Sequence, residues 1–185
     1  MTDIVARAEE PSGQVIAECL AQKLGLADRT ILLAHQGKSD LDRSLQIKIG
    51  HWRAQRPPKF IIMRDNDGAD CAKLKGRLVD RIPIRAIPQV KVRLVVQELE
   101  SWYLGDLSAV VQAGFAREAV VAPHRRTAKL KNPDRLNNAK QVFRGLVSRT
   151  GQIALARGIG PHLSLTENRS PSFHHFVAAL RWAAD

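Results

Sequence analysis

The chain has 185 residues, 44% of them hydrophobic and 25% charged, enough to build one α/β unit around a buried core and too apolar overall for a largely disordered chain. No apolar run nears the ~20 residues that a membrane span needs, and Met1-Thr2-Asp3 carries no basic segment leading into an apolar one, so a cytoplasmic protein with no membrane partner is expected. Lys and Arg number 29 against 18 Asp and Glu, a formal charge of +11, which favours polyanions and makes nucleic acid the expected partner.

Residues 3–8 read as a first strand and residues 9–13 as a turn, after which Val15, Ile16, Cys19, Leu20 and Leu24 recur at helical spacing. Residues 30–34 predict a second strand. Ser39, three residues before Asp42, has the pattern of a helix cap, and Leu41, Leu45, Ile49 and Trp52 mark one face of a helix ended by Arg56-Pro57-Pro58. Phe60-Ile61-Ile62-Met63 is a short, continuously apolar run, the signature of a parallel strand buried on both faces. It leads into Arg64-Asp65-Asn66-Asp67-Gly68 and then a helix with Cys71, Leu74, Leu78 and Ile82 on one side. The two cysteines, on apolar helical faces, are expected as reduced core residues. Val90, Val92, Leu94 and Val96 alternate with Lys91, Arg93, Val95 and Gln97, predicting a fourth strand that ends at Glu98-Leu99-Glu100.

Alternation of strands and helices predicts a mainly parallel sheet over 1–106, with ligands outside the carboxyl ends of the strands. Residues 107–185 are expected to form a helical extension packed on that core as one compact unit. Leu107, Val110 and Val111 lie on one helix, Val142, Phe143 and Leu146 on another, and Ser170 and Pro171 suit the N-cap and first position of a last helix bearing Phe173, Phe176, Val177 and Leu180. Between them a basic loop is expected, with residues 123–138 flexible and ordering on a polyanion; Arg125, Arg126, Lys129, Lys131 and Arg135 crowd there.

Carboxylates recur at three strand ends: Glu9/Glu10, Asp65/Asp67 and Glu98/Glu100. Asp-Asn-Asp-Gly alone suits an ordinary Asx-turn, Glu9-Glu10 suits a helix N-terminus, and Glu98 and Glu100 can pair with arginines. Together they carry a different implication. Two carboxylates about 5 Å apart repel by roughly 3 kcal/mol at an effective dielectric near 20, so several at one sheet edge call for a cation. An all-oxygen donor set suits Mg²⁺ or Mn²⁺, and Asp65-Asn66-Asp67 is the expected centre of that site. Lys38 could reach a phosphate oxygen, Arg64 could do so or serve as counter-ion to the aspartates, and Lys131, Arg135 and Arg169 are further candidates for contact with phosphate or nucleic acid.

Ala8-Glu9-Glu10-Pro11-Ser12 resembles the Glu-Gly-Pro-Thr/Ser turn of Toprim-like proteins, and Met63-Arg64-Asp65-Asn66-Asp67 resembles their Asp-x-Asp strand end. Gln36–Asp40, Arg64–Cys71, Glu98–Asp106, Lys131–Arg135 and Asn168–Phe173 together are similar to the bacterial family DUF4276. The resemblance implies a Toprim-like α/β fold and a metal-dependent phosphodiester nuclease related to the overcoming-lysogenization-defect type, associated with an ATPase partner in anti-phage defence. By position, Glu9 matches the lone Toprim glutamate, a general acid or base or a metal ligand, and Asp65 and Asp67 match the metal pair; Glu98 joins them from its strand-end position. Gly13 stands where a second acid is frequent, and Glu10 replaces the glycine of the first motif. Three readings follow, in this order: a nuclease; a non-catalytic module that binds nucleic acid or an ATPase, with a structural or degenerate metal site; and a phosphate-transfer enzyme for small substrates.

Overall fold

A computed structural model describes residues 3–52 and 57–185. Four strands, β1 (Ile4–Ala8), β2 (Thr30–Ala34), β3 (Lys59–Asp65) and β4 (Val90–Val95), form one parallel sheet in the order β2-β1-β3-β4. Helices α1 (Pro11–Lys23), α2 (Lys38–Ser44, continued by a π-helical turn over Leu45–Ile49) and α3 (Cys71–Val79) make the crossovers. Strand alternation sends Ile4, Ala6, Ile61 and Met63 to the core that α1 closes, and Val5, Phe60, Ile62 and Val92 to a second core under α2 and α3. Covered on both faces, β3 is the expected apolar strand, with Phe60 to Met63 all buried.

Several expectations change in detail. The turn after β1 is only two residues long, because Pro11 already occupies the first position of α1, where its missing N–H costs nothing. Ser39 does not cap α2; Gly37 does, at φ 88°, a conformation that a side chain would oppose. Cys19 is buried, but Cys71 is exposed at the start of α3, where the helix has not yet turned its apolar face inward. In β4, Val95 is buried in the core opposite to that of Val92, so both faces of this edge strand are apolar. Arg56, expected at the end of the α2 region, lies outside the described residues.

The C-terminal part holds α4 (Glu100–Gly105), α5 (Leu107–Gln112), α6 (Glu118–Arg125), α7 (Ala139–Arg144), α8 (Gln152–Ile159) and α9 (Pro171–Ala184). Residues 123–138 are not a flexible loop. They run from the end of α6 through short 3₁₀ turns at Ala128–Lys131 and Pro133–Arg135, with Leu130, Pro133 and Leu136 buried. Isolated apolar residues separated by charges carry no periodicity, so only the tertiary contacts declare them as anchors. The apolar core runs without a break from β1 and β3 into α4, α5, α8 and α9.

Buried polar groups tie this part together. Asp134 accepts from the Ser170 hydroxyl at 2.6 Å and the Ser172 amide at 2.7 Å, and Trp102 Nε1 donates to Ser172 Oγ at 2.8 Å. Asn168 donates to the Trp102 carbonyl and accepts from the Ser170 amide, both at 2.9 Å, while Ser170 caps α9 as expected. Gly105 sits under this junction: a Cβ there would run into the Asn168 carboxamide and lie 3.0 Å from the Ser170 nitrogen. Gly105→Ala should therefore lower unfolding free energy by about 1–3 kcal/mol in urea melts, the cost of overpacking a rigid contact; an unchanged midpoint would show that the junction yields.

Candidate metal centre

The parallel register brings the carboxyl ends of the strands to one edge. Hydrogen bonds continue past them: Glu9 N to Met63 O, His35 N to Ala8 O, Asn66 N to Val95 O. Glu9 follows β1, Asp65 ends β3, Asp67 lies in the next turn, and Glu98 and Glu100 flank the start of α4. All five, with Glu10, line one small pocket, which Ser12, Tyr103, Lys140 and Gln152 also reach.

The turn geometry depends on Asn66, a residue that the sequence reading passed over as a turn former. Its buried carboxamide accepts from Gln97 N at 2.5 Å and donates to Ala69 O at 2.9 Å, stapling the turn after β3 to the turn after β4. Asp67 and Gln97 both adopt positive φ, 48° and 63°, and the Asp67 amide donates to the Gln97 carbonyl. Two non-glycine residues in the left-handed region mark strain that the surrounding bonds sustain.

Electrostatics follow from the crowding. Burial pushes the Asp65 carboxyl well above the ordinary carboxylate range, and the charges of Glu9, Asp67, Glu10 and Glu100 push it the same way. Burial also raises Glu9, with Arg64 opposing, and raises Glu100, with Lys140 opposing. Three cations stand among the acids. Arg64 is buried beneath them, 3.2 Å from Asp42 and 3.9 Å from Glu9, so it serves as a counter-ion rather than presenting itself to phosphate. Its carboxylate neighbours are not the expected Asp65 and Asp67. Lys38 is exposed at the rim, 3.3 Å from Asp67, and Lys140 holds Glu98 at 2.6 Å. For Lys140, burial works against the charge, but the Glu98 hydrogen bond together with the charges of Glu100 and Glu98 outweighs it, and its pKa rises.

Lys131, Arg135 and Arg169 are exposed and do not line this pocket; Arg169 reaches a separate cavity beside Asp106 and Arg125. Lys140 and Gln152 join the site from α7 and α8, far along the chain from the acidic turns, and Tyr103 from the first turn of α4; no spacing signal marks them.

Among the described residues no three or more His, Cys, Asp or Glu side chains stand grouped around one ion position. The donor set nonetheless suits a hard cation: it is all oxygen, Glu9 Oε2 and the Tyr103 hydroxyl are buried without hydrogen-bond partners, and Asp65 lies among like charges. Position 13 offers no further ligand. A Cβ on Gly13 would lie 3.3 Å from that of Ala8 and 3.4 Å from Met63 Cε, too tight for an acidic side chain without adjustment.

Two outcomes follow. Asn66→Ala leaves the half-buried Gln97 amide without its partner and should cost about 1–3 kcal/mol in urea melts; a smaller loss would mean that water replaces the staple. Asp65 binds its proton more tightly folded than unfolded. Its contribution to stability is thus present at acid pH and lost as pH rises from the ordinary carboxylate range through the raised value. In EDTA, Asp65→Asn should melt higher than wild type at neutral pH, with the gain shrinking near pH ~4. A melting point at or below wild type throughout would show that the carboxylate carries no such penalty.

The chain is similar over 100% of its length to the C-terminal region of the OLD protein of Burkholderia pseudomallei, covering 100% of that chain at 15% identity with a TM-score of 0.60. Against the C-terminal region of the Xanthomonas campestris pv. campestris OLD protein the values are 14% identity, 100% and 99% coverage, and a TM-score of 0.54. At such identities the likeness is one of fold. No curated protein matches the chain. The model of DUF4276, a domain of unknown function, matches residues 8–181, and so the chain belongs to the DUF4276 family.

Proposed function

We propose that this protein is a metal-dependent phosphodiester nuclease of Toprim type, acting on nucleic acid. The observation that carries the reading is the convergence of Glu9, Asp65, Asp67, Glu98 and Glu100 on one pocket at the carboxyl edge of a parallel sheet. Glu9, Asp65, Asp67 and Glu98 would hold Mg²⁺ or Mn²⁺, which when bound polarises a phosphodiester and lowers the pKa of its water. Glu9, with its raised pKa and an Oε2 free of hydrogen bonds, is the group suited to take a proton from the attacking water. Lys38 and Lys140, paired with Asp67 and Glu98, would offer positive charge to the phosphate. The net charge of +11 supports a polyanionic substrate. An ATPase partner and a place in bacterial anti-phage defence extend the reading from the family resemblance.

A second reading has one specific observation in its favour. Gly13 stands where a second acid is frequent in the first Toprim motif, and a Cβ there would press on Ala8 at 3.3 Å, which suits a module that binds nucleic acid or an ATPase without cutting.

Incubating plasmid DNA and RNA with the protein and Mn²⁺ or Mg²⁺ separates the two. Cleavage by wild type should fall by ~10²-fold or more in the Asp65→Ala/Asp67→Ala variant, the loss expected when several kcal/mol of charge stabilisation go. No metal-dependent cleavage by wild type, or equal cleavage by the double variant, sinks the nuclease reading.

A further inference from the structure

The acidic pocket shares a wall with a second cleft. Glu100, Gln152 and Leu155 line both, and beyond them the chain from α7 to α8 encloses a cavity of about 330 Å³. That volume falls at the low end of the ~300–1,000 Å³ typical of small-ligand sites, the scale of a single nucleotide rather than a duplex.

The cleft is chemically two-sided. Arg144 and Arg149 line it, both exposed and neither ion-paired among the described residues. Arg144 stands close enough to Glu100 for its charge to act on that carboxylate, so the cationic side abuts the acidic pocket. Helix α8 opens at the same place, with Gly151 as its N-cap and no side chain on its first amides; those amides add partial positive charge. The opposite character comes from Val147, Leu155 and the edge of buried Phe143. A bare anion would use only the first set and an apolar ligand only the second. A nucleotide uses both, with phosphate on the guanidinium groups and sugar and base on the aliphatic wall.

We propose that this cleft is a nucleotide subsite, holding the nucleotide next to the phosphodiester in the acidic pocket, with Arg144 and Arg149 on the adjoining phosphate and Val147 and Leu155 against the sugar and base. It rests on the phosphodiester reading of the acidic pocket. Ser148, Thr150 and Gln152 also line the cleft and offer hydrogen bonds to sugar or base.

The test is fluorescence anisotropy of a fluorescein-labelled single-stranded hexadeoxynucleotide, with the full chain in Ca²⁺. Arg144→Ala/Arg149→Ala should weaken affinity ~10-fold or more and reduce the log–log salt slope by about 0.7, the share of one phosphate on a single strand. The control Arg117→Ala/Arg157→Ala removes the same charge from exposed positions outside both clefts, and should change affinity less than ~3-fold by the same reasoning. Equal losses in the two variants would overturn the subsite in favour of diffuse attraction. A fluorescein-labelled hexaglutamate bound as tightly, with the same arginine dependence, would overturn it in favour of an acidic peptide. Cleavage assays on the same proteins keep the two proposals apart. Wild-type cleavage with no arginine-specific loss of affinity leaves the nuclease and removes the subsite, whereas arginine-specific binding without wild-type cleavage removes the nuclease and keeps a nucleotide-binding cleft.

Discussion

Like charge gathered at the carboxyl edge of a parallel sheet is the constraint around which this protein is organised. Parallel pairing sets the ends of β1, β3 and β4 side by side, so the acids that follow each strand have no way to spread apart. The rest of the molecule answers that repulsion at two depths. Arg64 lies beneath the acids as a buried counter-ion to Glu9 and Asp42, while Lys38 and Lys140 sit nearer the solvent against Asp67 and Glu98. The distinction matters energetically. Exposed pairs of the Lys38–Asp67 kind are worth about 0–1 kcal/mol and exchange readily for another cation, whereas removing a buried partner is costly.

Holding such a pocket open demands rigid support. Asn66 ties the two acidic turns together, and the positive φ angles of Asp67 and Gln97 are tolerated because that carboxamide and the Asp67–Gln97 backbone bond hold the turns in place. The C-terminal helices supply the opposite wall. Their own positions are set by the polar junction of Trp102, Gly105, Asp134, Asn168, Ser170 and Ser172. Asp134, Asn168, Ser170 and Ser172 thus act on the placement of α4, which carries Glu100 and Tyr103 into the pocket.

The helical part is also what makes the site more than an acidic rim. Lys140 comes from α7 and Gln152 from α8, and the passage between those helices forms the cleft with Arg144 and Arg149. Positive charge therefore stands beside the acids instead of neutralising all of them, an arrangement that would draw a polyanion toward the pocket.

Strand–helix alternation, the apolar run at 60–63 and the acidic strand ends are local patterns, and each declares itself in sequence because its physical cause is periodicity or turn chemistry within a few residues. They suffice for the parallel sheet and for bringing Glu9, Asp65, Asp67 and Glu98 to one pocket at its carboxyl edge. What only the tertiary structure decided depends on partners far along the chain: that Arg64 faces Glu9 and Asp42 and not the aspartates beside it, that residues 123–138 are anchored through Leu130 and Asp134, and that Tyr103, Lys140 and Gln152 complete the pocket. A side chain's burial and its ion-pair partner are properties of the packed chain, set by segments that meet across 42 positions in the Lys140–Glu98 pair and more in the Arg64–Glu9 pair, and no local spacing encodes them.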